Sequence, residues 1–194
     1  FTKPKRKVAH HGTIAASELP NLYQHVISGK SDATFKAAMI ALVISGLRVA
    51  NIAYLRQAHY NPATGHFTIP EKDDDNTMVG LMKSGNEYSN RFPPEVRDMI
   101  NAQLLEGHEF VFVSRHSKRN VNPESLRKNF KTFDPNLTSH GFRNCFKEWG
   151  HLNDVNPFLI DRYTDHALTG NDAAYRRFDT LEGRADLARR YYAY

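Results

Sequence analysis

The sequence predicts an α+β fold that is mainly helical and carries a small three-stranded antiparallel sheet. Apolar residues recur at helical spacing before residue 56 and again after residue 93. Between these parts, near residues 66–92, the spacing changes to the alternation that is typical of half-buried strands. A chain of 194 residues, 40% of them apolar, is long enough for one large domain, or for one and a half small ones.

The first helices are predicted from regular apolar stripes and their end signals. Residues 19–27 place their leucine, tyrosine, valine and isoleucine side chains on one face, and Gly29 ends this helix. A second stripe starts near Asp32 and ends at Gly46. Arg48 follows at once and opens another short helix. We assign these stripes to the hydrophobic core rather than to function.

The predicted sheet lies in the middle of the chain. The segment His66–Pro70 alternates between apolar and polar residues and follows a turn. Residues 78–82 and 87–92 then form a hairpin around a turn at 83–86. The three strands place Lys83 at the tip of this turn.

After the sheet, the pattern returns to helix. The predicted segments are 94–105, 123–132, 139–150, 156–163, 171–177 and 181–193, with a short apolar run at Phe110–Val113. The apolar positions of the last segment fit two arrangements equally well. It packs either on a neighbouring copy of the chain or back on its own core.

Composition narrows the class of protein. The formal net charge is +5 and the pI is about 9.3, which favours an anionic partner, although charge alone is a weak signal. No apolar run approaches the roughly eighteen residues that a membrane-spanning helix needs. Cys145 is the only cysteine, which excludes an intrachain disulfide and agrees with a reducing cytoplasm. Its aromatic neighbours predict that this thiol is buried.

Six side chains that are far apart in the sequence carry the chemistry. They are Arg48, Lys83, His140, Arg143, His166 and Tyr175. The set combines hydrogen-bond donors and positive charge around one potential oxygen nucleophile, without a matching pair of carboxylates. Such a set suits a phosphodiester, whose negative charge grows as it is attacked. The sequence therefore predicts a catalyst of DNA strand transfer.

The histidine and arginine of one motif share a helix. His140 and Arg143 are three positions apart, so they project from one face of the helix predicted at 139–150. Thr138 or Ser139 can cap this helix and leave His140 in its first turn, where free N–H groups and the helix dipole favour an anion. The motif alone is a weak signal, because it also occurs on solvated helix surfaces.

The order and context of the six residues carry a resemblance to a known family. Arg48 directly follows an apolar helix, Lys83 lies at a β-turn, the histidine–arginine pair comes next, and Tyr175 lies nine residues after His166. This series resembles the catalytic domain of tyrosine recombinases, the phage integrase family, over residues 13–194. It is most similar to the integrases of prophages and genomic islands in enteric bacteria.

The resemblance implies the nucleophile and the reaction. Tyr175 would attack the scissile phosphorus and form a 3′-phosphotyrosyl link with release of a 5′-hydroxyl. The ester keeps the energy of the cleaved bond, so rejoining needs no nucleotide cofactor. The expected function is therefore site-specific recombination that integrates or excises a mobile element.

The resemblance also implies what the other five residues do. Arg48 and Arg143 would clamp the non-bridging oxygens of the phosphate. Lys83 would protonate the departing 5′-oxygen. His140 would assist proton transfer from the tyrosine, and His166 would hydrogen-bond the phosphate. No metal is expected, because the arginines supply the electrostatic stabilisation.

Two positions depart from the family pattern. Asn51 stands where the family usually has a carboxylate, which changes the support of Arg48, although an amide still accepts a hydrogen bond. Asp165 stands where a glycine commonly precedes the second histidine. Among competing tyrosines, Tyr163 is predicted in an apolar helix and Tyr191 at a frayed chain end.

The resemblance further implies the domain organisation and the partners. Residues 1–12 are expected to be a basic interdomain linker and residues 13–194 the catalytic domain, with N-terminal DNA-binding domains in a longer protein. Double-stranded DNA with attachment core sites is the expected partner, bound by a homotetramer that is monomeric when free, with an excision factor as a further partner. The residues expected to contact DNA are Lys118, Arg119, Arg127, Lys128, Lys131 and Arg176.

Two alternatives stay open. A type IB topoisomerase uses similar chemistry to relax DNA with little sequence preference. A DNA-binding regulator with inert catalytic-like residues is the second alternative, and the intact series of six residues argues against it.

Overall fold

The computed structural model describes residues 12–71, 82, 87–164 and 180–194. The helices in these ranges are α1 (Leu19–Ser28), α2 (Ala33–Ser45), α3 (Val49–Ala53), α4 (Pro94–Asn101), α5 (Pro123–Phe133), α6 (Gly141–Leu152), α7 (Pro157–Tyr163) and α8 (Leu181–Tyr192), and the strands are β1 (His66–Ile69) and β2 (Tyr88–Arg91). The predicted mainly helical α+β fold is confirmed. The predicted helix 171–177 and the linker residues 1–11 lie outside the described residues.

The sheet has two strands in the described residues, not the three that were predicted. β1 and β2 run antiparallel, with His66 opposite Arg91 and Ile69 opposite Tyr88. Of the predicted strand 78–82, only Met82 lies in the described residues, where it forms an isolated bridge with Glu71.

Helix α2 is the centre of the core. The side chain of Asp32 caps its first turn by accepting a hydrogen bond from the backbone N–H of Phe35, and Gly46 ends it in a left-handed conformation. Nearly every residue from Ala37 to Ser45 is apolar and buried, so the helix has no solvent-facing side there. It packs against α1, α3, α4 and α8, and its C-terminal end leads directly into Arg48.

The last helix folds back on its own chain. α8 buries Leu187, Ala188 and Tyr191 and contacts α2 and β2. The Tyr191 ring lies 5.1 Å from that of Trp149 in α6. The second of the two arrangements considered for this segment is therefore the one observed, and the prediction that Tyr191 lies at a frayed end is wrong.

Several element boundaries differ from the prediction. α4 ends at Asn101, four residues early, because the chain then turns towards Gly107, which has a φ of 75°. The apolar run Phe110–Val113, for which no element was predicted, forms isolated bridges to Arg56 and Asn120. No helix in the described ranges is both long and apolar enough to cross a membrane.

The buried thiol of Cys145 provides a test of how α8 packs over α6. This thiol is fully buried in α6, and burial raises its pKa to about 11. Since the thiolate is the reactive form, we expect native protein at pH 8 to resist alkylation by iodoacetamide, whereas denatured protein reacts fast. Intact-mass spectrometry over time measures both rates. Equal rates in native and denatured protein would contradict the packing of α8 over α6.

Candidate active site

The side chain of Arg143 joins α6 to the loop before Arg48. Arg143 lies in the first turn of α6 and is only 3% exposed. Its Nε donates a hydrogen bond to the carbonyl oxygen of Gly46 at 2.8 Å. Gly46 has a φ of 59°, a conformation that glycine adopts without steric cost. The fold thus brings the Arg143 side chain to the segment that carries Arg48.

Arg48 is held at the start of α3. It occupies the cap position and is half-buried. Its backbone N–H donates to the side-chain oxygen of Asn51 at 3.2 Å. Asn51 is buried, so this departure from the family pattern keeps a hydrogen-bond acceptor in the supporting position.

His140 lies at the exposed entrance to α6. It is the residue that precedes the helix and not part of its first turn, because α6 begins at Gly141, two residues later than predicted. The Thr138 hydroxyl oxygen accepts from the backbone N–H of Gly141 at 3.2 Å, but the cap position belongs to His140, so the prediction that Thr138 or Ser139 caps this helix is wrong. An exposed imidazole beside the buried Arg143 places one solvent-accessible and one shielded donor on the same turn.

The beginning of the described chain is attached to this same turn. The backbone N–H and the hydroxyl of Thr138 both donate to the carbonyl oxygen of Gly12, each at 3.2 Å. The hydroxyl of Thr13 donates to the carbonyl oxygen of Gly141 at 2.9 Å. A Cβ atom at Gly141 would lie 2.3 Å from the Gly12 oxygen. The histidine–arginine turn therefore requires a glycine here, which sequence analysis missed because the contacting residue lies 129 positions away.

α6 and α7 are joined beside the site. Lys147 forms an ion pair with Asp161 at 2.8 Å, and the Phe146 ring stacks on that of Tyr163, with 4.1 Å between centroids. α7 ends at Tyr163, shortly before the segment with the remaining predicted residues. Lys83, Asp165, His166 and Tyr175 lie outside the described residues, so the structure places Arg48, His140 and Arg143 of the predicted six.

Four of the competing tyrosines are buried. Burial raises the pKa of Tyr163 and of Tyr191 well above the ordinary value. It raises the pKa of Tyr60 to about 12, and Tyr88 is 3% exposed. A buried phenol that resists ionisation is poorly suited to attack a DNA backbone. These four are therefore poor candidates for the nucleophile.

The predicted DNA-contacting residues fall on two exposed surfaces. Lys118 and Arg119 lie at the tip of the loop after Val113, where Lys118 has a φ of 55°. Lys128 and Lys131 are exposed on α5, which packs against α3. The remaining two differ from these: Arg127 is half-buried and forms an ion pair with Glu124, and Arg176 lies outside the described residues.

Two further basic residues share the loop tip and were missed. Arg115 and His116 are exposed there, and the Arg115 guanidinium donates to the side-chain oxygen of Gln103 at 3.0 Å. The signal was present in the sequence as a cluster of basic residues between two apolar runs. The bridge between Val113 and Asn120 closes this loop and places the basic residues together at its tip.

Comparison with known proteins defines the class. The sequence model described as the phage integrase family matches residues 13–180. The chain belongs to this family, the tyrosine recombinases. No curated protein sequence matches the chain.

Solved structures show the same fold. The integrase of mycobacterium phage Brujita superposes with a TM-score of 0.67 at 17% identity, covering 97% of this chain and 60% of that one. Lambda integrase residues 75–356, in a dimer bound to a COC′ core site, give 0.63 at 14% identity, covering 94% and 64%. XerA recombinase gives 0.57 at 14% identity, covering 91% and 65%. The chain thus spans about two thirds of these structures or less.

The contact at Gly141 yields a stability prediction. Gly141→Ala drives a methyl group into the Gly12 carbonyl, so we expect the free energy of unfolding to fall by about 1–3 kcal/mol. Urea denaturation measures the change. Asn144→Ala, at an exposed position of the same helix, is the control and is expected to be neutral or slightly stabilising. An unchanged Gly141→Ala variant would show that residues 12–13 do not pack on α6.

Proposed function

We propose that this chain is the catalytic part of a site-specific recombinase that integrates or excises a mobile DNA element. One observation carries the proposal: the Arg143 side chain reaches the backbone two residues before Arg48 in a chain of the phage integrase family. Two arginines near one point supply the positive charge that a reacting phosphodiester needs. Residues 1–12 are proposed to be the linker and residues 13–194 the catalytic domain.

The proposed reaction is a transesterification. The phenol oxygen of Tyr175 attacks the scissile phosphorus, the bond to the 5′-oxygen breaks, and a 3′-phosphotyrosyl ester forms. The tyrosine proton leaves with the help of His140, and Lys83 protonates the departing 5′-oxygen. Attack by a 5′-hydroxyl on the ester reverses these steps and rejoins the strand. The reaction is balanced without a nucleotide, a metal or another cofactor.

The two arginines have different surroundings and complementary tasks. Arg143 is shielded from water and fixed at Nε, which orients its rigid guanidinium in a medium of low dielectric constant. Arg48 is half-buried at the start of α3 and is proposed to bind the phosphate from the more exposed side. His166 is proposed as a further donor to the same phosphate.

The proposed partner is double-stranded DNA with attachment core sites. Solved structures of lambda integrase include a dimer bound to a core site and a tetramer bound to a Holliday junction. We extend this organisation to the present chain: a monomer when free, a homotetramer on DNA, and an excision factor as a further partner. The proposed location is the cytoplasm, where the DNA substrate is accessible.

Two other functions were considered, and no observation favours them. The matching family model is that of the phage integrases, over residues 13–180, which supports a recombinase. An inert regulator has no need of a buried arginine that is bonded to the backbone two residues before a second arginine. Site-specific recombination therefore stays the best-supported function.

Covalent trapping tests the nucleophile. On a nicked duplex that carries the core site, the short fragment with the new 5′-hydroxyl diffuses away and cannot reverse the reaction, so wild-type protein should accumulate as a protein–DNA adduct. We expect Tyr175→Phe to form none, because it lacks the attacking oxygen, whereas Tyr194→Phe, at an exposed tyrosine, should match wild type. Denaturing gel electrophoresis measures the adduct. An adduct formed by Tyr175→Phe would show that another residue is the nucleophile.

Salt dependence tests the basic face of α5. Lys128→Ala and Lys131→Ala should each reduce the slope of log affinity against log salt concentration by about 0.9, the value for one lost phosphate contact. Arg189→Ala in α8, where the guanidinium pairs with Asp186 at 2.8 Å, is the control. Fluorescence anisotropy measures the affinities. Unchanged slopes for both lysine variants would exclude this face from DNA binding.

A further inference from the structure

A network of hydrogen bonds crosses the core beside the proposed site. Asn90 Nδ2 donates to the hydroxyl oxygen of Tyr88 at 2.9 Å, and this hydroxyl donates to the carbonyl oxygen of Tyr163 at 2.9 Å. The hydroxyl of Tyr163 donates to the carbonyl oxygen of Ile44 at 2.6 Å. The three side chains are at most 3% exposed. We refer to Asn90, Tyr88 and Tyr163 as the buried network.

The hydrogen bond from Tyr163 to Ile44 holds the C-terminal end of α2. Ile44 lies in the last turn, where the helix itself supplies no N–H for the carbonyl oxygens. Two residues further on, the carbonyl oxygen of Gly46 accepts from Arg143. Tyr163 and Arg143 therefore hold two neighbouring carbonyl groups of the segment that leads into Arg48.

The hydrogen bond from Tyr88 to the carbonyl oxygen of Tyr163 holds the end of α7 against the sheet. Tyr163 is the last residue of α7, and its carbonyl oxygen accepts from Tyr88. The chain continues from α7 into the segment that carries His166 and Tyr175. Tyr88 begins β2, five residues after Lys83. The buried network thus joins three chain segments that lie next to the proposed catalytic residues in the sequence: α2 and α7 lead into them, and β2 follows Lys83.

The two hydroxyl groups do more than fill space. The ring of Tyr163 stacks on Phe146, and a phenylalanine would keep this contact. The hydroxyl adds a polar group that an apolar core accommodates only when it is hydrogen-bonded. Burial raises the pKa of Tyr163 well above its ordinary value, so the phenol remains a neutral donor. What the hydroxyls supply is the fixed relative position of the backbones they connect.

We propose that Tyr88 and Tyr163, supported by Asn90, are positioning residues for the strand-cleavage step. They fix the ends of α2, α7 and β2 relative to one another and touch no DNA themselves. This role rests on the proposed function, because it requires the proposed catalytic residues next to these ends to act on one phosphodiester. Small displacements of reacting groups slow chemistry strongly, whereas DNA binding depends on surface charges elsewhere.

The experiment removes one hydroxyl at a time from the full-length protein. The variants are Tyr163→Phe and Tyr88→Phe, with Tyr191→Phe as the matched control. Tyr191 is equally buried and its ring also contacts Phe146, but its hydroxyl contacts the sulfur of Cys145 and not the buried network. Circular dichroism measured against temperature establishes the temperature range in which each variant is folded.

Three quantities are then measured on the folded variants. The first is the Kd for core-site duplex, and the second is the single-turnover rate of phosphotyrosyl formation at saturating protein. The third is backbone hydrogen exchange in residues 44–48, which reports on the end of α2 independently of activity.

The expected result is a loss of rate without a loss of binding. Tyr163→Phe and Tyr88→Phe should lower the cleavage rate by roughly 10-fold to 100-fold. Their Kd should stay within about twofold of the wild-type value, since no phosphate contact is removed. Exchange in residues 44–48 should accelerate in Tyr163→Phe, whereas Tyr191→Phe should match wild type in all three quantities.

Two outcomes would overturn the inference. Wild-type cleavage rates in both network variants would show that the hydroxyls do not position the site. An equal loss of rate in Tyr191→Phe would indicate a general weakening of the core. Should Tyr163→Phe fail to fold, Tyr88→Phe decides the question alone, because it loosens only the end of α7. A wild-type protein that forms no adduct refutes the proposed function itself, before any variant is compared.

Discussion

The hydrogen bond from Arg143 Nε to the carbonyl oxygen of Gly46 is the contact on which the candidate site depends. A buried guanidinium is costly unless hydrogen bonds replace the water it has lost. The left-handed conformation of Gly46 ends α2 and turns the chain towards Arg48, and its carbonyl supplies one of these bonds. Because the guanidinium is planar and rigid, fixing one nitrogen restricts the whole group. A single bond therefore sets both the turn before one arginine and the orientation of the other.

Packed helices meet at this contact. α2 is buried from Ala37 to Ser45 and ends at the site, while α6 starts there and is held by Gly12 and Thr13. α7 is fixed to α6 by the Lys147–Asp161 pair and by the stack of Phe146 on Tyr163. Sites built on helix ends that are packed in this way hold their side chains more accurately than sites on free loops. The exposed charges on α5 and on the loop at 114–119 do not need such accurate placement. Their proposed task is to bind DNA and not to align the reacting groups.

Local signals predicted the helices well and their partners poorly. The end signals Asp32 and Gly46 lie within one turn of the helix they delimit, so the bounds of α2 follow from neighbouring residues. The run at Phe110–Val113 has the composition of a strand, but strand formation depends on a partner that is distant in sequence, and only isolated bridges form. Arg48, His140 and Arg143 were predicted through the order of a family motif. Gly141, Tyr88 and Tyr163 were missed because their roles lie in contacts with residues far along the chain.

The sequence by itself determined the chemistry: which side chains carry positive charge, which tyrosine follows the family order, and which stretches form helices. Tertiary structure alone decided that Arg143 is shielded and bonded to Gly46, that Tyr191 is buried on the inner face of α8, and that α8 packs on its own chain. The physical reason is the range of the interactions. Helix propensity and capping act over a few residues, whereas burial and hydrogen bonding in a core depend on groups that only folding brings together.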